Sequence, residues 1–452
     1  MNSSAQLIYP TIDLFLYDLR SGLGDDEETI KGNRQRFWEK IYTPEDFKIH
    51  ESVLIQRENS YSPFVDLLGS TRFKKLDSQL DGYYYPVQFG DTYALQVDCS
   101  GHVSESHSPR PINTLESIKN QIEEHLKPQQ VTLGQTWFVW GQLADAQDAP
   151  ETTAEKCYLD LKLISNPDWS KDLRGTGKLL GATVFELWRS PTDLSNADHH
   201  ILICLFPTSM NLKTIQQQVG EVYFDLMRLF QYRHKIIWTY NQAQQRREVL
   251  IQGFGKIRKL AQITSHQTSQ QHHIPNLNTL QDNLAEALVI LASYAPNLTD
   301  LYYQGRTIDI NQSNYKKRQD KITNDHANTD LSLTSDFLEF IAPQYRCEIK
   351  ADHERFERGL TLLQNLIDAT RGRIDLYQAN RDRRFNGTVA IAGIGLATSQ
   401  IASAVIVAQQ PPDPKTPFFA TNAFKLSLAT GIVAAILTAI ILYLFSRFSR
   451  QQ

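Results

Sequence analysis

The sequence predicts an α+β protein with an N-terminal α/β domain, a stalk or bundle of long helices, and a C-terminal hairpin of two transmembrane helices. Short β-branched and aromatic runs alternate with helical patterns in the first part of the chain. Heptad stripes follow, and two uncharged stretches lie near the C-terminus. The predicted boundaries are 1–208 for a cytoplasmic α/β domain, 209–387 for the helical stalk, 388–408 and 426–445 for the two spans, 409–425 for a short outer loop and 446–452 for a cytoplasmic tail.

The composition excludes several classes of protein. The 452 residues include 46 lysines and arginines against 50 aspartates and glutamates, so the net charge is −4. Without a basic excess, we expect no nucleic-acid partner. The four cysteines are scattered, which is typical of reduced thiols and not of a disulfide framework. No Ser-His-Asp or Cys-His spacing is present, so we expect neither an enzyme nor a bound cofactor.

The N-terminal domain is predicted from alternating elements. A helix is indicated at 113–128, where Asn113 caps the N-terminus, Glu116 stands at the capping-box position and Pro128 ends the pattern. A weaker helix is indicated at 28–41. Strands are predicted at 12–19, 93–99, 136–143, 182–189 and 200–206.

The stalk is predicted from three helical patterns. One long helix is indicated from Asn211 to about Thr264, where apolar residues alternate at spacings of four and three without a proline. A second seam runs from Leu277 to Leu301, and Pro296 is expected to kink or break it. The polar segment 312–330 is either a solvated helix end or a mobile loop. A third helix resumes near Ser335, and heptads of this kind favour an antiparallel bundle or a homo-oligomeric coiled coil.

Two stretches near the C-terminus have the length and composition of membrane spans. Residues 388–408 and 426–445 carry no charge, and about 20 apolar residues cross the hydrocarbon core of a bilayer. Arginines precede the first stretch and follow the second. The positive-inside rule therefore predicts a multi-pass protein of the plasma membrane with both termini in the cytoplasm.

Several short motifs resemble ligand sites but lack required residues. Gly393-x-Gly395 has Thr398 where a dinucleotide-binding turn needs a third small residue. The segment Gly175–Lys178 lacks the first glycine of a phosphate-binding loop and is predicted to be a turn. Cys99-x-x-His102 needs a further ligand to hold a metal, so any metal site is unknown. His199–His200 is predicted to be a solvated pair beside a loop.

The first span has one small, polar face. On a helix of 100° per residue, one narrow sector contains Thr388, Ala392, Gly395, Ser399 and Ser403. Small residues of this kind allow close helix packing, and the same stripe could instead line a pore in an oligomer. Because a single hairpin cannot enclose a pore, the pore hypothesis requires several copies. Ile406 is then the candidate hydrophobic constriction.

The order of these elements resembles the CorA family of divalent-cation (magnesium) channels. The resemblance implies a pentamer in which the first span lines the pore for a metal cation and the second span lies outside. The family's Gly-Met-Asn signature is missing, because residues 408–413 read AQQPPD, with Asp413 as the one acid. The shared order of elements, and not the signature, is what implies metal-cation transport. The alternatives are a membrane-anchored cytoplasmic sensor or scaffold without transport, and a tethered hydrolase.

Overall fold

The structure is a computed structural model. It describes residues 5–22, 24–59, 62–76, 79–103, 108–126, 131–189, 199–269 and 277–379, together with eight isolated positions between 425 and 440.

The described residues form a mixed sheet and a set of helices. The strands are β1 (Gln6–Leu19), β2 (Val65–Asp66), β3 (Lys74–Lys75), β4 (Leu80–Phe89), β5 (Thr92–His102), β6 (Pro109–Pro111), β7 (Gly134–Leu143), β8 (Leu173–Leu179), β9 (Ala182–Leu187) and β10 (His199–Phe206). The helices are α1 (Glu27–Trp38), α2 (Pro44–Glu58), α3 (Thr114–Leu126), α4 (Pro150–Leu161), α5 (Trp169–Asp172), α6 (Leu212–Ser269), α7 (Leu277–Asp325) and α8 (Ala342–Ala379). The five predicted strands and the two predicted N-terminal helices are confirmed, although β1 begins six residues before its predicted start.

The sheet has the strand order β2-β4-β5-β1-β7-β10-β9-β8, with β3 paired to β4 and β6 paired to β1. Strands β7 and β10 are parallel, and the other pairs are antiparallel. Strand β1 lies at the centre, where it is buried on both faces. A bulge between Ile8 and Thr11 shifts its register against β7, and Tyr9 has a positive φ of 53° there.

One face of the sheet carries the apolar core of the N-terminal region. On β1 this face bears Ile12, Leu14 and Leu16, which are almost fully buried. Helices α1 to α4 supply the opposing side chains, among them Trp38 and Tyr158. Because side chains alternate along a strand, the intervening residues of β1 must point to the opposite face.

The opposite face of the sheet packs against α6. The ring of Phe15 on β1 lies 6.3 Å from that of Tyr223 and 5.4 Å from that of Phe230. The Tyr17 hydroxyl donates a hydrogen bond of 2.8 Å to the Met227 carbonyl on the same helix. This face of the sheet is more polar than the first, and it positions the groups described below.

The long helices are divided between two compact units. The chain forms two compact units, Met1–Gln252 with Tyr294–Arg358 and Gly253–Ser293 with Gly359–Gln452. Helix α6 has 58 residues and belongs to both units. Within the second unit, Leu280, Leu284 and Ile374 form a small apolar core. The predicted continuous helix from Asn211 is confirmed and extends to Ser269.

The predicted transmembrane hairpin is contradicted. Crossing a membrane requires about 20 consecutive apolar residues, whereas the long helices described are amphipathic and carry many charges. No helix among the described residues is long and apolar enough to cross a membrane. This finding corrects the predicted fold class, which becomes α+β with a large mixed sheet and long helices. It also conflicts with the predicted membrane and ion-channel character and the predicted multi-pass location in the plasma membrane. Residues 388–408 lie outside the described residues, and 426–445 are described at isolated positions alone.

One smaller prediction is wrong, and two that left alternatives open are narrowed. Residues Gly175–Lys178 are not a turn but part of β8, where glycine is needed because a neighbouring segment passes close by. A Cβ at Gly177 would lie 2.4 Å from the carbonyl oxygen of Asp330. Pro296 does not break its helix, since α7 contains it, and the alternative of a kink stays a prediction. The polar segment 312–330 is helical as far as Asp325 and is therefore a helix end.

Candidate functional site: buried polar groups between the sheet and helix α6

The predicted pore residues lie outside the part of the chain that the structure describes. These residues are Thr388, Ala392, Gly395, Ser399, Ser403, Ile406 and the loop residue Asp413. Their placement therefore stays a prediction, as do the predicted homo-oligomer and the metal cation as a partner. Between the sheet and α6, the described residues instead show two buried polar clusters.

The first cluster is centred on two aspartates. Asp13 on β1 and Asp98 on β5 are directly opposite each other in the antiparallel register. Asp13 has no exposed surface, and Asp98 is 8% exposed. Like charges at directly opposed positions destabilise a sheet, and buried carboxylates cost still more. This pair, which we call the aspartate pair, therefore requires compensating interactions.

Three donors surround the carboxylate of Asp13. Gln96 Nε2 donates to Oδ1 over 2.8 Å. The Trp140 indole and the Tyr223 hydroxyl donate to Oδ2 over 3.1 Å and 2.7 Å. The Tyr223 hydroxyl also lies 3.4 Å from Asp98 Oδ2, so one group on α6 reaches both aspartates. Because donors of this kind favour a charged acceptor, Asp13 is the ionised member.

The aspartate pair holds one proton. Burial raises the pKa of Asp98 well above the usual carboxyl range, and the adjacent charge of Asp13 raises it further. Burial also raises the pKa of Asp13, while the hydrogen bonds it accepts oppose this effect. Two carboxyl groups in hydrogen-bonding contact cannot both ionise at little cost. Asp98 therefore carries the proton and donates it to Asp13.

The second cluster is a chain of four buried side chains. Glu186 Oε1 on β9 lies 3.0 Å from His200 Nε2 on β10. His200 Nδ1 is 2.9 Å from the Thr136 hydroxyl on β7, which is 2.7 Å from His234 Nε2 on α6. All four residues are at most 1% exposed. We call Glu186, His200, Thr136 and His234 the histidine chain.

The directions of these hydrogen bonds follow from the chemistry of each group. Burial lowers the pKa of His200 and of His234 well below the usual value, and the charge of Arg233 lowers both further. Both rings are therefore neutral. Since Glu186 is an acceptor, His200 carries its hydrogen on Nε2, and the Thr136 hydroxyl donates to His200 Nδ1. Thr136 must then accept from His234 Nε2–H, which leaves a lone pair on His234 Nδ1.

The charge of Arg233 acts on both rings of the histidine chain. Its side chain is fully buried, and its guanidinium lies 5.4 Å from the Trp188 ring and 4.9 Å from the Phe337 ring. The charges of Glu186 and Arg233 have opposite effects on the pKa of Tyr315. Both charges thus act on the same buried hydroxyl. Phe337 begins a π-helical turn, Phe337–Ile341, that leads into α8.

The site can hold and move protons. Among the described residues, no group of three or more histidine, cysteine or acidic side chains has the geometry to hold a metal ion. Each cluster instead contains titratable groups joined by direct hydrogen bonds. Tyr223 and His234 are 11 residues apart on α6, which is about three helical turns, so both face the sheet. One helix therefore contacts both clusters.

Few features of the sequence indicate this site. His200 was predicted to be solvated, and this prediction is wrong, because His200 lies within the strand and is 1% exposed. Asp13 and Asp98 each interrupt an apolar run that was correctly predicted to be a strand. A charged residue inside a central strand is the signal that could have indicated them. Their pairing depends on the strand register, which the sequence does not show.

Comparisons with known proteins identify no relative. No family model matches the chain. No curated protein and no solved structure matches it either.

Proposed function

We propose that this protein is a sensor without transport activity, in which the protonation state of the aspartate pair is transmitted by helix α6. The single observation that carries the proposal is the position of the Tyr223 hydroxyl, 2.7 Å from Asp13 and 3.4 Å from Asp98. A change in the charge of the pair must change the hydrogen bonds of a residue on α6.

The energetics of the pair favour this role over a purely structural one. An apolar pair, or a hydrogen-bonded pair of amides, would stabilise the sheet at lower cost than two buried carboxyl groups. Raised carboxyl pKa values bring the loss of the shared proton closer to neutral pH, where small changes in the surroundings alter occupancy. Perturbed titratable groups of this kind are typical of functional sites.

The length of α6 supports transmission. The helix continues without interruption for 58 residues, from Leu212 to Ser269. Within the first unit, a continuous helix passes a displacement at Tyr223 to its neighbouring turns, which a loop does not. A scaffold that only holds a partner would need the helix but not the aspartate pair. The sensor is therefore the better-supported of the two non-transport functions.

The proposal is tested by hydrogen exchange along α6. Amide protection of residues 216–230 is measured at pH 5 and pH 8 and corrected for the intrinsic pH dependence of exchange. The wild-type protein should show different protection at the two pH values. In Tyr223→Phe, which keeps the ring and removes the hydroxyl, protection should become independent of pH.

A matched control is Tyr232→Phe, because Tyr232 lies on the same helix but has no hydrogen bond to either aspartate. This variant should keep the wild-type response. The sensor proposal fails if α6 is equally protected at both pH values in the wild type while carboxyl carbon shifts show the pair losing its proton. Equal pH responses of wild type and Tyr223→Phe would also contradict it.

A further inference from the structure

We propose that the histidine chain is a proton relay that carries one proton from the N-terminal end of strand β7, at Gly134, to the buried carboxylate of Glu186. The relay is separate from the aspartate pair and does not depend on it. Its four members, on β7, β9, β10 and α6, are joined by hydrogen bonds of 2.7 to 3.0 Å. This continuity is the geometric condition for proton transfer without movement of the backbone.

The outer end of the relay is His234 Nδ1. This buried nitrogen has no hydrogen-bond partner among the described residues, although buried polar atoms are normally paired. It lies against Gly134, the first residue of β7, which is partly exposed. A Cβ at Gly134 would be 2.4 Å from Nδ1, so only glycine leaves this nitrogen uncovered. The lone pair of His234 Nδ1 can therefore accept a proton. This nitrogen is at the end of the relay that lies beside the partly exposed Gly134.

The inner end of the relay is Glu186, and the transfer balances. One proton binds His234 Nδ1, and the Nε2 proton of the same ring passes to the Thr136 hydroxyl. The hydroxyl proton passes to His200 Nδ1, and the Nε2 proton of His200 passes to Glu186 Oε1. No bond other than N–H and O–H changes. Both rings stay neutral, each hydrogen bond reverses its direction, and Glu186 becomes a carboxylic acid.

The charges around the relay favour this end point over a charged imidazole. Arg233, next to His234 on α6, disfavours a positive charge on either ring. Tyr17 on β1 faces His234, with ring centroids 5.5 Å apart, and Phe230 on α6 faces His200 at the same distance. Tyr315 on α7 experiences Glu186 and Arg233 together. Neither tyrosine supplies a negative charge, because burial raises the pKa of both.

The relay predicts a specific spectroscopic change. Nitrogen-15 NMR of histidine-labelled protein distinguishes the Nε2–H tautomer, the Nδ1–H tautomer and the imidazolium ion. At pH 8, His200 and His234 should both be Nε2–H. On acidification towards pH 5, both should convert to Nδ1–H with one common midpoint. The signals are assigned among the 12 histidines with His200→Gln and His234→Gln.

Thr136 provides the matched pair of variants. Thr136→Val keeps the shape of the side chain but removes the hydroxyl, so the two rings should no longer convert together. Thr136→Ser keeps the hydroxyl and should restore the common midpoint. The relay is refuted if either ring of the wild type becomes imidazolium, if His234 is Nδ1–H at pH 8, or if Thr136→Val converts as the wild type does. The wild-type spectrum decides the matter even if Thr136→Val does not fold.

Discussion

Single residues hold the buried clusters in their geometry, and Gly134 is the clearest example. Its φ of +149° is rarely adopted by residues with side chains. We expect Gly134→Ala to lower the free energy of unfolding by about 3 kcal/mol, because backbone strain and overlap with His234 add together. Urea denaturation measures the loss. Gly90→Ala is the control, since its φ is +60° and its Cβ would meet nothing within 4 Å. Gly90→Ala should lower the free energy of unfolding by about 1 kcal/mol. Equal losses in the two variants would show that a side chain at position 134 does not contact His234.

The raised pKa of Asp98 makes the free energy of unfolding depend on pH, and the sign of this dependence can be predicted. A carboxyl group whose pKa is raised on folding stabilises the protein below its unfolded pKa, and this contribution is lost as the pH rises through the folded value. Asp98→Asn keeps the hydrogen bond to Asp13 without a dissociable proton. The variant should therefore exceed the wild type in unfolding free energy by about 1 kcal/mol or more at pH 8, with a smaller difference at pH 5. A variant less stable than the wild type at pH 8 would contradict the assignment of the proton to Asp98.

Ion pairs join the helices of the first unit, and their strength depends on burial. Asp225 on α6 is paired with Arg318 and, at 2.6 Å, with Lys321 on α7. We expect Asp225→Ala to lower the unfolding free energy by about 2 kcal/mol, because two cations lose a partner that is largely buried. Chemical denaturation provides the measurement. Arg72→Ala breaks the Asp66 pair, in which Arg72 is 57% exposed, and should change stability by less than about 0.5 kcal/mol. Similar effects of the two substitutions would show that burial does not determine how much an ion pair stabilises the protein.

Whole elements were easier to predict than their pairing. The apolar, β-branched and aromatic runs at 12–19 and 200–206 are a property of each segment, so β1 and β10 appear where expected. Strand β4 was not predicted, because its run of three tyrosines lacks a clear alternation. The parallel pairing of β7 with β10 and the register of β1 with β5 depend on contacts between distant segments, which local patterns do not contain.

The whole molecule combines two pH dependences of opposite sign. The aspartate pair loses its stabilising contribution as the pH rises. The histidine chain behaves in the opposite way, because a folded-state pKa below the unfolded value gives stability that is lost as the pH falls below about 6.5. At acidic pH the unfolded protein binds one proton on each of the two rings. The folded protein binds a single proton through the relay, so acid favours unfolding.

We therefore expect the unfolding free energy of the wild-type protein to pass through a maximum near neutral pH. A series of urea denaturation curves between pH 4.5 and pH 9 measures it. His200→Gln should flatten the acidic side and leave the alkaline side as in the wild type. A profile that keeps its acidic slope in this variant would assign that slope to other groups.

The sequence by itself determined the strands and helices that have a strong local period, the length of α6 and the absence of a recognisable catalytic motif. It also led to a transmembrane hairpin, because apolar stretches were assessed by length and composition alone, and no helix among the described residues bears this out. Only the tertiary structure decided which polar side chains meet. Asp13 and Asp98 lie 85 positions apart, and Thr136 and His234 lie 98 apart. Strand register and the docking of α6 bring them together, and both are set by packing across the whole sheet.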